Sequence, residues 1–84
     1  MFNHCNILML IDHYYTLENG RRFLYMVTEL FHTDLYHHIR IQRKNINEDM
    51  AKNYAFQILT GLEQLHRAHV VHRDLTSTNI LINK

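Results

Sequence analysis

The sequence has no proline, only two glycines and a single cysteine among its 84 residues. Without proline- or glycine-rich stretches there is no obvious linker, so we predict one continuous unit. The lone Cys5 forms no disulfide framework; it favours a reducing compartment, or is simply an inert thiol, and does not indicate redox chemistry. The longest apolar run, residues 7–11, is far below the roughly 18 to 20 residues of a membrane span. We therefore expect no membrane association and a cytoplasmic or nuclear location.

Neither basic nor acidic residues are in clear excess. Nine basic residues face eight acidic ones, which gives a formal net charge of +1, and the basic residues are scattered along the chain. A scattered charge provides no basic face that could follow a phosphate backbone, so we expect no nucleic-acid partner. The apolar fraction of 46% is ordinary for globular proteins.

The first 43 residues predict a β-hairpin followed by a short helix. Apolar and aromatic runs over residues 6–15 and 22–29 flank an Asn19-Gly20 pair, which favours a tight turn with positive φ. After an irregular connector, Asp34 is expected to cap a helix from Leu35 to about Arg43.

The strongest periodicity lies in residues 48–69 and predicts a long amphipathic helix. Asn47 is the expected N-cap. The apolar stripe comprises Ala51, Ala55, Ile58, Leu62 and Leu65. Beyond the helix, residues 70–71 and 80–82 are predicted as short extended segments on either side of a polar loop, residues 72–79.

The polar loop carries a chemical pattern, His72-Arg73-Asp74-Leu75 followed by Asn79. Asp74 is a carboxylate that can orient a hydroxyl and take its proton. Asn79 offers a neutral amide oxygen, a hard ligand suited to Mg²⁺. One turn thus holds a base and a metal ligand together. Because His72 follows two valines, we predict that its ring packs into the core.

This loop resembles the catalytic loop of eukaryotic protein kinases. The resemblance extends over nearly the whole chain and implies an α+β fold, a partial protein-kinase-like structure. Residues 1–28 would be N-lobe strands, residues 29–34 the hinge, and residues 35–84 the start of the C-lobe. Residues 33–36 are similar to the hinge exit of mitogen-activated protein kinases, which is the preferred branch.

The resemblance also implies ATP and Mg²⁺ as cofactors, with Asp74 as base and Asn79 as metal ligand. Arg73 would pair with a phosphorylated residue. In the nucleotide site, Thr28 would take the gatekeeper position, and the Glu29 carbonyl and the Phe31 amide would bond adenine. Asp34 would lie near the ribose, and Leu81 would pack under the adenine ring.

The sequence also departs from the kinase pattern. Thr76 and Ser77 stand where related serine/threonine kinases have lysine and proline. A glycine-rich loop, the strand lysine with its helix glutamate, an Asp-Phe-Gly segment and an activation segment are all absent, so we expect a fragment that is inactive in isolation. The parent would be a serine/threonine kinase with a protein substrate and regulatory kinase or docking partners. The alternative is an inactive truncated kinase or pseudokinase that acts as a protein-binding module.

Eight histidines invite a metal-site interpretation. His66 and His69 lie three apart on the predicted helix, a spacing that suits two ligands, and His37 and His38 are adjacent. No cysteine or carboxylate cluster completes four ligands, and histidines near a helix C-terminus are favoured by the helix dipole. We therefore predict no histidine metal site.

Overall fold

A computed structural model describes residues 4–83. The chain divides into two compact units, Met1–Leu30 and Phe31–Lys84. The boundary lies within the connector predicted over residues 29–34. The assignment of the units to kinase lobes stays a prediction.

The first unit is built on the predicted β-hairpin. Strand β1, Leu10–Glu18, pairs antiparallel with β2, Arg21–Thr28, with an irregularity near the start of β1. Asn19 and Gly20 have φ angles of 51° and 77°. Two central residues with positive φ are typical of a type I′ turn, whose twist matches that of the flanking strands. The Asn-Gly pair therefore fixes both the turn and the register.

The first strand begins later and ends later than predicted. Residues 5–7 form a turn in which the Ile7 amide donates to the His4 carbonyl oxygen at 3.1 Å. The Asn6 amide donates to His4 Nδ1 at 3.0 Å. These local hydrogen bonds use the amides of Asn6 and Ile7, which are then not available to a partner strand, and pairing with β2 starts at Leu10.

Cross-strand pairs hold the hairpin together. Tyr14 and Tyr25 are in register, and their rings stack with centroids 5.0 Å apart. The Tyr25 hydroxyl also donates to Glu18 Oε2 at 3.1 Å. An aromatic pair of this kind contributes about 0.5 to 1.5 kcal/mol beyond its area burial. No residue of β1 or β2 is buried.

The second unit contains a small sheet that the sequence did not predict. Strand β3, Thr33–Asp34, pairs antiparallel with β4, Leu81–Ile82. The Leu35 amide then donates to the Ile80 oxygen at 2.7 Å. A two-residue strand is too short for a periodic signal, so the connector prediction missed β3. The prediction of an extended segment at residues 80–82 is confirmed for Leu81–Ile82.

Two capped helices follow, both as predicted. Helix α1, Leu35–Gln42, begins after Asp34, whose Oδ1 accepts from the His37 amide at 2.9 Å. Helix α2, Glu48–Arg67, begins after Asn47, whose Oδ1 accepts from the Met50 amide at 2.9 Å. In each case the side chain satisfies a backbone donor that has no partner within the helix.

Helix α2 ends in a left-handed residue. His69 has a φ of 59°. The His69 amide donates to His66 O at 3.0 Å, and the Val70 amide donates to Leu65 O at 2.9 Å. These two bonds define a Schellman motif, in which the left-handed residue is usually a glycine. Residues 70–71, predicted as an extended segment, form no strand, and the Val70 amide closes the helix.

Little apolar surface is covered within residues 4–83. No hydrophobic side chain of this part of the chain is buried, whereas Gly61 of α2 and the His38 ring are. Ile58, Leu62 and Leu65 of the predicted stripe are half-buried, but Ala51 and Ala55 are exposed. The stripe prediction is therefore right only for its C-terminal part.

A polar contact links the two helices. His38 is 9% exposed, and its Nε2 lies 2.9 Å from the Tyr54 hydroxyl. The two rings meet edge to face, with centroids 5.8 Å apart. Burial removes the imidazole from water, and the Tyr54 hydroxyl supplies a hydrogen-bond partner in its place.

Candidate functional site

The candidate loop gains its shape from a single 3₁₀ turn. Residues 72–76 have no regular structure, and Ser77–Asn79 form the turn, closed by a hydrogen bond from the Asn79 amide to the Thr76 oxygen at 3.0 Å. Strand β4 starts two residues later. Because β4 is paired with β3, the loop is tethered at its C-terminal end.

This turn folds Asn79 back onto Asp74. The Asn79 Nδ2 atom donates to the Asp74 main-chain oxygen at 3.0 Å and to Asp74 Oδ2 at 3.2 Å. The amide nitrogen is the donor in both bonds, so Asn79 Oδ1 and Asp74 Oδ1 remain outside this contact. The predicted base and the predicted metal ligand are thereby brought together, while their chemical roles stay predictions.

The donor set suits a hard cation. Asp74 and Asn79 are exposed, and each offers an oxygen atom. Mg²⁺ prefers oxygen ligands and is usually held by one or two side chains together with waters and phosphates. Across residues 4–83, no group of three or more His, Cys, Asp or Glu side chains is placed to hold a metal ion. The pair therefore fits a cation shared with a phosphorylated ligand rather than a cage made by the protein.

His72 does not lie where we predicted. Its ring is exposed, and Nδ1 accepts a hydrogen bond from the Asp74 amide at 3.1 Å. The prediction of a packed imidazole is wrong because the loop turns back on itself, which places the ring over its own backbone. The residue between them, Arg73, has a φ of 73°. Left-handed backbone at a non-glycine residue costs about 1 to 2 kcal/mol, and residues with such backbones are often found at functional sites.

The position of the missing lysine is occupied by a hydroxyl. Thr76 Oγ1 lies 3.0 Å from Thr78 Oγ1, with either atom able to donate. Thr76 precedes the 3₁₀ turn but makes no capping hydrogen bond through its side chain. The loop from Leu75 to Thr78 is therefore uncharged, and two of its hydroxyls bond each other.

Among the five residues predicted to contact a nucleotide, Asp34 and Leu81 are brought together. They are direct partners in the β3–β4 ladder. Phe31, at the start of the same unit, is half-buried. Thr28 and Glu29 belong to the first unit, where the Thr28 hydroxyl donates to the Glu29 oxygen at 3.3 Å.

His37 holds the Asp34 carboxylate, a contact that sequence reasoning missed. His37 Nδ1 lies 2.8 Å from Asp34 Oδ2 and 3.0 Å from Oδ1. The His37 backbone N–H and then its ring lower the pKa of Asp34 below its ordinary value of 3.8. The signal was available: a residue three positions after an N-cap can reach back to it, as in a capping box.

A separate open cavity of about 250 Å³ lies within the second unit. It is lined by His32, Thr33, His38, Ile41 and Gln42. None of the residues predicted to act in catalysis or nucleotide binding lines it.

The sequence as a whole matches one protein family. Residues 1–84 match the protein kinase domain. The chain belongs to the protein kinase domain family. None of the kinase helices described within residues 4–83 is both long and apolar enough to cross a membrane.

Named relatives refine the family. The kinase chain is 43% identical over 60 residues to mitogen-activated protein kinase 5 of Oryza sativa subsp. indica, covering 71% of this chain and 16% of the relative. It is 40% identical over 87 residues to mitogen-activated protein kinase spk1 of Schizosaccharomyces pombe, covering 98% and 22%. It is 38% identical over 80 residues to cyclin-dependent kinase 14 of Xenopus tropicalis, covering 95% and 18%. The chain thus spans about a fifth of the length of these relatives, and its similarity to mitogen-activated protein kinases is confirmed.

Proposed function

We propose that the protein carrying this sequence is a serine/threonine kinase of the mitogen-activated type, which transfers the terminal phosphoryl group of ATP to protein hydroxyls. The observation that carries the proposal is the contact between Asn79 Nδ2 and two atoms of Asp74. It sets a proton acceptor and a metal-ligating amide side by side. The family match and the names of the relatives support the same reaction class.

Asp74 acts as the base. Its carboxylate orients the substrate hydroxyl and accepts the proton as the new oxygen–phosphorus bond forms. Asn79 restrains Oδ2, and this leaves Oδ1 for the hydroxyl. Because His72 accepts from the Asp74 amide, the main chain of the base is also restrained. Positioning of this kind accounts for much of the catalysis in phosphoryl transfer.

Asn79 Oδ1 is the atom that would hold Mg²⁺. The bound ion would offset the negative charge of the phosphate oxygens. The side-chain nitrogen of Asn79 faces Asp74, so the carbonyl end of the same side chain is directed elsewhere. Arg73, next to the base, would pair with a phosphorylated residue.

The nucleotide would lie beside the β3–β4 ladder. Leu81 would pack under adenine and Asp34 would lie near the ribose, and their pairing in the ladder supports a shared site. The Glu29 carbonyl and Phe31 amide would bond adenine, with Thr28 as gatekeeper. In this proposal residues 1–28 are N-lobe strands, residues 29–34 the hinge and residues 35–84 the start of the C-lobe.

Partners and location follow from the same proposal. We expect a protein substrate, regulatory kinase or docking partners, and action in the cytoplasm or nucleus.

The second candidate function is an inactive kinase that binds another protein. Thr76 favours it, since a hydroxyl that bonds Thr78 stands in the place of the catalytic-loop lysine. Loss of one preorganised donor to developing phosphate charge costs about 10² to 10³ in rate.

The test is phosphate transfer by the natural protein and its Asp74→Asn variant. With ATP, Mg²⁺ and a generic protein substrate, we expect a rate loss of at least about 10²-fold in the variant. Asp49→Asn, an exposed carboxylate in the first turn of α2, is the matched control and should leave the rate unchanged. Undiminished transfer by the Asp74 variant would remove the base role. No transfer by the unaltered protein would favour the binding module.

A further inference from the structure

His37 contacts the carboxylate of Asp34 through both its backbone and its ring. His37 supplies its backbone N–H to Oδ1 at 2.9 Å, and its ring Nδ1 lies within 3.0 Å of both carboxylate oxygens. The side chain of Asp34 is 21% exposed and that of His37 is 60% exposed. The carboxylate is therefore only partly exposed, and the imidazole nitrogen lies close to both of its oxygens.

Asp34 is also the partner of Leu81 in the β3–β4 ladder. We infer that His37 competes with the ribose of a bound nucleoside for the Asp34 carboxylate, so that nucleoside affinity falls as the solution becomes more acidic. This inference rests on the nucleotide site of the proposed function and adds a specificity-determining residue to it.

The competition follows from hydrogen-bond capacity. The two hydroxyls of a ribose are donors, and a carboxylate is the acceptor that suits them. The His37 backbone N–H and ring N–H already use two of its acceptor positions, and the ring nitrogen lies within 3.0 Å of both oxygens, where the ribose hydroxyls would have to approach. Imidazole side chains change charge between about pH 5 and 8. A protonated ring binds a carboxylate through a charge-assisted bond, roughly twice as strong as the bond from a neutral ring. Acid therefore strengthens the contact that the ribose must displace.

The other ionisable side chains of α1 have different partners, and the His38 ring bonds the Tyr54 hydroxyl. On α1, the Tyr36 ring meets the His37 ring edge to face at 5.2 Å, and the Arg40 guanidinium lies over Tyr36 and donates to its hydroxyl. The 3₁₀ turn and β4, which adjoin α1 and β3, carry only neutral side chains: Ser77, Thr78, Asn79, Leu81 and Ile82.

The loop that leads into the 3₁₀ turn does contain ionisable groups. They are His72, Arg73 and Asp74. The His72 ring is bonded to the Asp74 amide. Within residues 4–83, His37 is thus the imidazole that contacts Asp34, and the pH response is assigned to it.

The experiment compares two nucleosides that differ only in the ribose hydroxyls. Adenosine and 2′,3′-dideoxyadenosine lack phosphates, so no phosphate group titrates in the pH range used. Dissociation constants are measured by calorimetry at about pH 8 and about pH 5.5 for the natural protein that carries these residues. An exposed ion pair contributes modestly, so we expect the adenosine dissociation constant to rise about two- to fivefold in acid. That of dideoxyadenosine should stay constant.

Two variants test the assignment. His37→Gln keeps a long polar side chain at a position where glutamine is well tolerated but cannot gain a charge. We expect it to bind adenosine equally well at both pH values. His66→Gln, an exposed histidine in the last turn of α2, is the matched control and should keep the pH response of the unaltered protein.

The outcomes separate this inference from the proposed function. If both nucleosides bind with dissociation constants independent of pH, or if His37→Gln keeps the response, the competition is overturned while the nucleotide site stands. If neither nucleoside binds at either pH, the nucleotide site itself is overturned, and the competition with it. An acid-weakened affinity for adenosine alone, abolished by His37→Gln, supports both.

Discussion

The side-chain nitrogen of Asn79 donates to two atoms of Asp74, the main-chain oxygen at 3.0 Å and carboxylate Oδ2 at 3.2 Å. The two residues are five positions apart, and a 3₁₀ turn closes the loop between them. The side-chain amide of Asn79, the proposed metal ligand, thus restrains the orientation of Asp74, the proposed base. A change at Asn79 should therefore affect both metal binding and the geometry of Asp74.

Replacement of Asn79 by alanine tests this coupling. The variant loses the amide oxygen that would hold Mg²⁺ and both hydrogen bonds to Asp74. Loss of an outer-shell partner alone typically costs 10- to 100-fold in metal affinity or activity, so we expect the Mg²⁺ concentration for half-maximal phosphate transfer to rise at least about tenfold. Asn83→Ala, an exposed asparagine just after β4, is the matched control. An unchanged Mg²⁺ dependence in the Asn79 variant would contradict the metal role.

The Asp34 carboxylate should make helix α1 sensitive to acid. Its pKa is lowered in the folded chain, first by the His37 backbone N–H and then by the His37 ring. A group with a lowered folded pKa adds stability above its unfolded value, and that stability is lost as the pH falls through the folded value. We therefore expect amide protection in α1 to decrease below about pH 3.8.

Asp34→Asn is the comparison for this pH dependence. Asparagine keeps an oxygen that can cap the helix but has no carboxyl to protonate. Amide protection in α1, taken relative to the intrinsic exchange rate at each pH, should therefore vary less in the variant between about pH 5 and pH 2. Equal slopes in the two proteins would show that Asp34 is not the group responsible.

The contact between His38 and Tyr54 should contribute to the stability of the second unit. Tyr54→Phe removes the hydroxyl and leaves the nearly buried His38 Nε2 without this partner. We expect a loss of about 1 to 2 kcal/mol in the free energy of unfolding, measured with urea. Tyr36→Phe, which removes an exposed hydroxyl bonded to Arg40, should change it by less than about 0.5 kcal/mol. Equal effects would mean that burial of the imidazole is unimportant.

His69 offers a route to a more stable chain. Its φ of 59° is a conformation that glycine adopts without steric cost. We expect His69→Gly to raise the free energy of unfolding by about 1 kcal/mol. His66→Gly, placed inside the last turn of α2, should lower it by a similar amount because glycine is unfavourable in a helix. A destabilised His69 variant would indicate that the imidazole makes a contact that outweighs the backbone strain.

Local signals predicted most of the secondary structure. The Asn19-Gly20 pair located the hairpin turn, and the Asp34 and Asn47 caps located the first residues of both helices. Each signal acts over four residues or fewer, within which the physical cause and the sequence pattern coincide. The ends were predicted less well: residues 70–71 were expected to be extended, but the Val70 amide closes the Schellman motif of α2 instead.

The candidate site was predicted in part. The spacing of Asp74 and Asn79 suggested that one turn would hold both, and the hydrogen bonds between them agree with that arrangement. Two preceding valines predicted that the His72 ring is buried in the core. The ring is instead exposed and accepts a hydrogen bond from the Asp74 amide. The contact between His37 and Asp34 was missed, although a side chain three positions after an N-cap can reach back to it.

The sequence by itself determined the hairpin turn and the first residues of both helices, because caps, turns and amphipathic periods are properties of neighbouring residues. Only the folded structure decided that Asp34 lies beside Leu81, 47 positions later, and that the Tyr54 hydroxyl meets the His38 ring. Such contacts depend on the pairing of two short strands and the approach of two helices. These contacts join residues that are far apart in the sequence, and a pattern among neighbouring residues does not encode them.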